Sequence, residues 1–347
     1  MRLIFTLFMF CLVISTTTHA QTFDNAGAYL DAISKAKMEM SAKYMTYLSA
    51  AAHGRRAKKV EKLRAQTVES ISTSRSKINE LPYFKGDNNL RKANMDYMQM
   101  LYYVFNDDYA KIVNMEDIAE QSFDEMQAYI LLKEKTGEKL NEAYKKVSDS
   151  TKSFATKYGV KLIDGSSELG DKMEIAGKLN HYNNDIFLVF FKCNWQDGVL
   201  TKAINNKKVN DAEQARNALI KYADEGLAAL KADTLKSFNG DRSLAIACAE
   251  VLNFYKTMAQ NDVPKMTDMV LKEENFDKIK KAFDAKPKNT RVQADIDAFN
   301  KAVVDMNASI GVYNQTNNDV NKRRTNALNE WEKADKKFSD EHMPHYK

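Results

Sequence analysis

Apolar residues recur every three or four positions along most of the chain, which is the spacing of one face of an α-helix. Between residues 115 and 158 this period is kept by Ile118, Met126, Ile130, Leu140, Ala143, Tyr144 and Val147. The pattern predicts helices near residues 23–52, 56–80, 88–112, 115–158, 172–206, 210–232, 241–262 and 291–341, with a continuation of the seventh to 286 left open. Because 347 residues include only 12 glycines and 4 prolines, turn residues are too few for a β-sandwich or barrel. The sequence therefore predicts an all-α fold.

A second pattern is an internal repeat. Residues 81–90, LPYFKGDNNL, resemble residues 235–244, LKSFNGDRSL, at an offset of 154. Near the C-terminus the similarity resumes at an offset of 184, where residues 141–154 parallel residues 325–338. A colinear series of matches of this kind predicts two diverged copies of one unit.

Each copy contains four predicted helices with short connections, and short connections favour antiparallel neighbours. We therefore expect two tandem, duplicated four-helix-bundle-like domains, at residues 21–163 and 172–347. The length agrees with this, because domains of about 150 residues are common. The segment 164–171 is rich in glycine and serine and is predicted to be the linker.

The Phe-x-Gly-Asp turn at residues 84–87 recurs at residues 238–241. A folding role explains it: the phenylalanine closes the end of a bundle, the glycine supplies a positive φ, and the aspartate caps the next helix. Asn210, with Glu213 three residues later, is predicted to be another N-cap.

The second copy carries about 30 extra residues between Met269 and Thr325, which is the difference between the two offsets. Their apolar positions form two helical faces, the first made by Phe276, Ile279 and Phe283 and the second by Val292, Ile296 and Phe299. Lys286-Pro287-Lys288-Asn289 lies between them as a helix breaker. The sequence predicts a helical hairpin near 270–320 that extends about 20 Å. Two interpretations stay open: an interaction surface, or an arm that folds back on its own domain.

Residues 1–20 predict a signal peptide that is cleaved between Ala20 and Gln21. One arginine precedes an apolar run from Leu3 to Ile14, which is too short to span a bilayer. We therefore expect no transmembrane segment. The protein is predicted to be exported to the periplasm or outer surface of a Gram-negative bacterium.

The charge distribution is that of a solvated surface. The net charge is only +5, and lysines alternate with carboxylates along the predicted helix faces. The densest basic cluster, His53 to Lys59, falls at a turn between two helices. Nucleic-acid binding requires a concentrated basic face, so we expect no nucleic-acid partner.

The residues of the chain form no recognisable catalytic or metal-binding motif. The mature chain has four histidines, His53, His181, His342 and His345, and none belongs to a His-Glu-x-x-His or Glu-x-x-His pattern. Phosphate-binding loops and the Gly-x-Ser-x-Gly turn are also missing from the sequence. We expect no enzyme activity, no cofactor and no functional metal, although the tail histidines His342 and His345 leave adventitious metal binding open.

Ser150 and Thr234 lie in tripeptides that also occur at bacterial O-glycosylation sites.

Two cysteines remain after cleavage, Cys193 and Cys248. The prediction places them on the first and third helices of the second copy, which are diagonal in an up-down bundle. Neighbouring axes about 9 Å apart put diagonal axes about 13 Å apart, which leaves a Cα separation of about 8 Å. A disulfide needs less than about 7 Å, so we expect buried free thiols.

Methionine and aromatic residues are dense in residues 94–105 and 185–195. Such helices either form a deep core or line an apolar cavity. A closed cavity lined by Met95, Met98, Tyr102 or Phe190 would favour a carrier of an apolar small molecule. Core packing is the favoured interpretation.

The signal ending Ala20-Gln21, the helices rich in lysine and asparagine, and the Phe-x-Gly-Asp turn together resemble a family of uncharacterised exported helical "surface proteins" of Gram-negative bacteria. The resemblance covers the mature chain and implies no activity, and the family offers no functional residues to transfer. Imelysin-like exported proteins are similar in being duplicated bundles, but their Gly-x-His-x-x-Glu motif is missing here. We therefore predict a non-enzymatic protein that binds another envelope protein. A carrier is the first alternative, and an enzyme of unknown type is the second.

Overall fold

The computed structural model describes residues 23–52, 57–108, 119, 121–162 and 168–346. Within them the fold is all-α, as the sequence predicts. The helices are α1 (Ala26–Ala52), α2 (Ala57–Glu80), α3 (Asn89–Tyr103), α4 (Phe123–Tyr158), α5 (Glu168–Asn205), α6 (Val209–Ala229), α7 (Ser243–Asn261), α8 (Val263–Ala285) and α9 (Gln293–His342). A π-helical turn, Val104–Asp108, follows α3, and a 3-10 turn, Lys288–Thr290, precedes α9.

Most predicted boundaries are confirmed to within a few residues. The third predicted helix differs, because α3 gives way to the π-helical turn at Val104, and residues 109–118 lie outside the described part. The prediction of Asn210 as an N-cap is wrong: α6 begins at Val209, and its N-cap residue is Lys208. The last residues of the predicted linker 164–171 are helical, since α5 begins at Glu168.

The N-terminal half (residues 23–162) is a ring of four helices. α1 contacts α2, α2 contacts α3, α3 contacts α4, and α4 closes the ring against α1. Its apolar positions meet in two clusters, one around Met98 and Ile71 and the other around Tyr29 and Phe84. This is the packing that the three-or-four residue period predicts.

The C-terminal half (residues 168–346) is arranged around α7, which contacts α5, α6, α8 and α9. The predicted diagonal relation of the first and third helices is therefore wrong for α5 and α7. α6 packs closely against both helices at Gly226, where a Cβ would lie 2.8 Å from Leu252 on α7 and 2.9 Å from Val189 on α5. The missing side chain leaves room for α6 to approach α5 and α7 together.

The two halves are in contact in this structure. Met126 and Ile130 of α4 belong to the same hydrophobic cluster as the core of the C-terminal half. The indole N–H of Trp195 on α5 donates to the carbonyl of Gln121, 3.0 Å away. Apolar packing and a hydrogen bond therefore join α4 to α5.

The two Phe-x-Gly-Asp turns have the same backbone conformation. Lys85 and Gly86 have φ angles of 49° and 80°, and Asn239 and Gly240 have 50° and 89°. Two successive positive φ angles define a tight type I′ turn, in which glycine is the residue of least strain. The positive φ predicted for the two glycines is confirmed.

The aspartates of these turns bond to the first residue of the following helices, as a capping role predicts, although the N-cap residues themselves are Asn88 and Arg242. Asp87 accepts a hydrogen bond from the N–H of Asn89 at 2.9 Å, and Asp241 accepts one from the N–H of Ser243 at 2.7 Å. These bonds satisfy backbone donors that no helical carbonyl can reach.

An aromatic cluster surrounds each turn. The rings of Tyr29, Phe154 and Tyr158 pack around Phe84. The rings of Tyr182, Phe338 and His342 pack around Phe238. Both phenylalanines are buried, so the prediction that they close a bundle end is confirmed. The clusters differ in what reaches the aspartate. Lys157 lies 2.6 Å from Asp87, whereas Nε2 of His342 lies 2.8 Å from Asp241. These contacts lower the pKa of each aspartate.

Candidate functional site

The exposed hairpin (residues 271–301) is formed by the end of α8 and the start of α9. The continuation of the seventh predicted helix to residue 286, which the sequence leaves open, is present as α8, and a break at Asp262 separates it from α7, where Pro264 enters the first turn of α8. Arg323 of α9 contacts the Asp262 carboxylate, and Val263 and Val270 are buried. The base of the hairpin is therefore fixed to the C-terminal half by a charge pair and by apolar packing.

The seam between α8 and α9 is aromatic. The rings of Phe283 and Phe299 are stacked with centroids 4.5 Å apart and planes 10° apart, and the ring of Phe276 lies 6.1 Å from Phe299. Ring pairs at these distances add to the stabilisation that apolar burial provides. The predicted faces of the two helices therefore do meet each other.

The tip of the hairpin is built by local contacts. Thr290 bonds to the carbonyl of Pro287 at 2.9 Å, and Lys286 pairs with the carboxylate of Asp295. Asp295 also accepts from the N–H of Val292 at 3.1 Å, so it caps the start of α9. The Arg291 guanidinium lies 4.1 Å from the centre of the Phe283 ring. These contacts hold the two helices in one relative orientation.

No residue between 271 and 301 is buried, and the structure describes all of them. Val292 is 58% exposed and Ile296 is 37% exposed, while Phe276, Ile279, Phe283 and Phe299 are only partly covered. Two packed helices leave the apolar residues between them partly open to solvent, and a third helix is needed to bury those residues fully. The alternative in which this arm folds back on its own domain is therefore wrong, and the seam stays open.

Basic residues are concentrated at the tip. Between residues 278 and 297 there are three carboxylates, Asp284, Asp295 and Asp297, against six cations: Lys278, Lys280, Lys281, Lys286, Lys288 and Arg291. Lys280 pairs with Asp284 and lowers the pKa of that carboxyl group. The remaining excess of positive charge faces solvent beside the apolar seam.

The predicted thiols are buried and unpaired in this structure. Cys193 lies on α5 and Cys248 on α7, and the Cys248 thiol points at the carbonyl of Ile186, 3.9 Å away. Burial raises the pKa of Cys193 to about 12, and it also raises the pKa of Cys248. Neither side chain is therefore a reactive thiolate at neutral pH.

The residues proposed to line a carrier cavity do not lie around a common space. Met98 is fully buried in the N-terminal core, and Phe190 stacks on Trp331 in the C-terminal core with ring centroids 4.6 Å apart. Met95 and Tyr102 border an open groove of about 480 Å³ whose other walls include Arg75, Ser76, Asn79 and Gln99. A polar, open groove is a poor container for an apolar molecule.

Sequence patterns gave no sign of a buried charge pair between α5 and α9. Nε and Nη2 of Arg324 lie 2.7 and 2.9 Å from the two carboxylate oxygens of Asp197, whose side chain is 7% exposed. Burial raises the pKa of Asp197, and the bonds from Arg324 act in the opposite direction. The pair is separated by 127 residues in the chain, so no local spacing could have indicated it.

Several predicted residues lie elsewhere. Ala20 and Gln21 of the signal cleavage site, and His53 of the basic cluster, are outside the described residues. His342, one of the two tail histidines, contacts Asp241.

In the part of the chain that the structure describes, no helix has both the length and the hydrophobicity to cross a membrane. Comparison of the chain with family models, with curated proteins and with solved structures gave no match.

Proposed function

We propose that this protein is an exported, non-enzymatic component of the bacterial envelope that binds a protein partner through the exposed hairpin. The observation that carries the proposal is the open aromatic seam of residues 271–301, none of which is buried. Export is supported by the apolar run and the small residues within residues 1–20.

The partner that best fits the seam is an amphipathic helix. Helices bind in apolar grooves between two other helices through residues that recur every three or four positions. The stacked Phe283 and Phe299 and the contacts at the tip hold that groove in place before binding. A pre-formed groove lowers the entropy cost of association.

The charge at the tip adds a further requirement for the partner. Six cations against three carboxylates between residues 278 and 297 favour a helix that carries Asp and Glu at the end that meets the tip. Exposed charge pairs are screened by salt, so binding should weaken as ionic strength rises.

Site-specific photo-crosslinking in the bacterium that makes the protein tests the proposal. A photoreactive amino acid is placed at Val292 or Ile296 in the hairpin, and at Val312 as the control. Val312 is also on α9 and is 49% exposed, but it lies outside the hairpin. We expect the two hairpin positions to give an adduct with the same envelope protein, and Val312 to give none.

A variant pair completes the test. Val292→Glu should reduce recovery of that partner at least tenfold, and Val312→Glu should leave it unchanged, because both side chains are exposed and neither change should alter folding. Equal adducts at all three positions, or adducts only between two copies of this chain, would contradict the proposal.

The two halves are also proposed to descend from one duplicated bundle. Support comes from the two turns, which share their positive φ angles, their aspartate caps and their surrounding rings. The hydroxyls of Tyr29 and Tyr182 donate to the carbonyls of Pro82 and Leu235, two positions that lie next to one another when the copies are aligned. The exposed hairpin belongs to one copy only, which is consistent with a function acquired after duplication.

A further inference from the structure

A second feature, away from the hairpin, lies where α4 packs on α5. Glu134 of α4 faces His181 and Asp185 of α5, which are one helical turn apart and therefore share a face. Nδ1 of His181 lies 3.2 Å from Glu134 Oε1, and Nε2 lies 3.8 Å from Asp185 Oδ2. One potential ligand atom from each residue lies within 4.8 Å of the other two.

The charges in this cluster are unbalanced. The side chains of Glu134 and Asp185 are 27% and 35% exposed, so both carboxylates are partly removed from water. Some other interhelical carboxylates face a lysine or an arginine, as Asp197 does with Arg324 and Glu225 does with Lys192. Among the described residues, neither Glu134 nor Asp185 pairs with a lysine or an arginine; their shared partner is His181. Two half-buried like charges at this distance repel each other unless a cation lies between them.

We propose that Glu134, His181 and Asp185 bind one divalent transition-metal ion, with Zn²⁺ the best match. One imidazole and two carboxylates are ligands that zinc accepts, with bonds of about 2.0 to 2.2 Å. Tetrahedral bonds of that length place ligand atoms about 3.4 Å apart. Nδ1 of His181 and Oε1 of Glu134, 3.2 Å apart, already match this separation. One ion binds one ring nitrogen, so the 3.8 Å contact of Asp185 with Nε2 would be exchanged for a bond to the ion by rotation of the Asp185 side chain, whose carboxylate lies within 4.8 Å of the other two ligand atoms.

The ligand positions indicate what the ion would do. Glu134 comes from the N-terminal half and the other two ligands come from the C-terminal half, so a bound ion would tie the halves together across α4 and α5. The ion would also remove the repulsion between the two carboxylates. Three protein ligands leave a fourth position for water. The role inferred here is to join the two halves, and it does not depend on the hairpin.

Calorimetric titration of the metal-stripped, full-length mature protein with ZnCl₂ tests the inference. We expect one zinc ion per chain in the unaltered protein. His181→Ala, Glu134→Gln and Asp185→Asn should each raise the Kd at least tenfold. Zinc should also raise the Tm of the unaltered protein, because a ligand that binds only the folded state stabilises it.

Two control variants separate this site from general metal binding. Glu138→Gln changes an exposed carboxylate one turn further along α4, and His345→Ala changes a histidine of the tail. Both should bind zinc as the unaltered protein does. His181 is 68% exposed, so its alanine variant should fold normally, and circular dichroism would check this.

Three results would overturn the inference. The first is no zinc uptake by the unaltered protein at millimolar ZnCl₂. The second is the same Kd in His181→Ala as in the unaltered protein. The third is loss of binding in His345→Ala, which would place the metal on the tail.

Discussion

At the scale of single residues, Lys37 on α1 is a lysine whose pKa departs clearly from its value in solution. Burial lowers the pKa of its amine to about 8 from the usual 10.5. No carboxylate offsets this effect, so the charged form is penalised in the folded state. The folded pKa lies below the unfolded one. Between about pH 8 and pH 10.5 the unfolded chain therefore binds more protons, and stability rises as the pH rises. Below pH 8 the whole penalty applies.

We therefore expect Lys37→Met to stabilise the protein at pH 7 by up to about 3 kcal/mol, since one pKa unit corresponds to about 1.4 kcal/mol. Urea unfolding at several pH values would measure the change. The gain should shrink between pH 8 and pH 10.5. Lys35→Met is the matched control, because Lys35 is exposed and paired with Asp31 at 2.7 Å. An equal gain in both variants would show that burial of Lys37 is not the cause.

At the scale of elements, the approach of α6 to both α5 and α7 depends on Gly226. The gap that it leaves is smaller than a methyl group, because a Cβ would lie within 3 Å of both Leu252 and Val189. Both neighbours are side chains packed in the core, so neither can move away freely.

Gly226→Ala should therefore destabilise the protein by about 1 to 3 kcal/mol, even though alanine is the better helix former. Gly177→Ala on α5 is the opposite case, because a Cβ there meets nothing within 4 Å. That change should stabilise by about 0.5 to 1 kcal/mol. Thermal unfolding of the two variants would compare them directly. If both variants were stabilised, the close contact at Gly226 would not limit the packing of α6 against α5 and α7.

At the scale of the whole molecule, the core should keep its stability when the hairpin is removed. Replacing residues 274–298 by a short glycine-containing turn removes no buried side chain. We expect the free energy of unfolding of the remaining chain to change by no more than about 1 kcal/mol, while crosslinking to the partner is lost.

Val270→Ala gives the comparison for this prediction, because Val270 lies on α8 just before the hairpin and is only 4% exposed. Loss of its buried methyl groups should cost about 2 kcal/mol. Chemical denaturation would measure both changes. A loss of several kcal/mol on removing the hairpin would mean that it supports the core, which would contradict the proposed division of roles.

The sequence predicted the parts of this molecule that depend on local signals. Helix positions follow from a three-or-four residue period, and the turn at Phe84 and its counterpart at Phe238 follow from glycine and aspartate at fixed spacings. The sequence also located the hairpin, because an insertion in one copy of a repeat is visible without any structure. It did not reveal that the hairpin stays exposed, since exposure depends on what else packs against it.

Contacts between distant segments were beyond prediction from local spacing. Arg324 meets Asp197, and Glu134 meets His181, through the packing of helices that are far apart in the chain. The error in the arrangement of α5 and α7 has the same origin. An ideal bundle has equal spacings, whereas α7 here contacts all four other helices of its half and α6 packs closely against α5 and α7 at Gly226.

The continuity of α9 has a mechanical consequence. This helix runs without interruption for 50 residues, or about 75 Å, from the tip of the hairpin to the aromatic rings around Phe338. Tension applied at the tip would be carried along the helix axis, where the backbone hydrogen bonds lie nearly parallel to the pull. The load would reach the core at Arg323 and Arg324. The first of these pairs with Asp262 at the junction of α7 and α8, and the second pairs with Asp197 on α5. A protein attached to the tip would thus pull on a continuous helix that is held to the core by the pairs of Arg323 and Arg324.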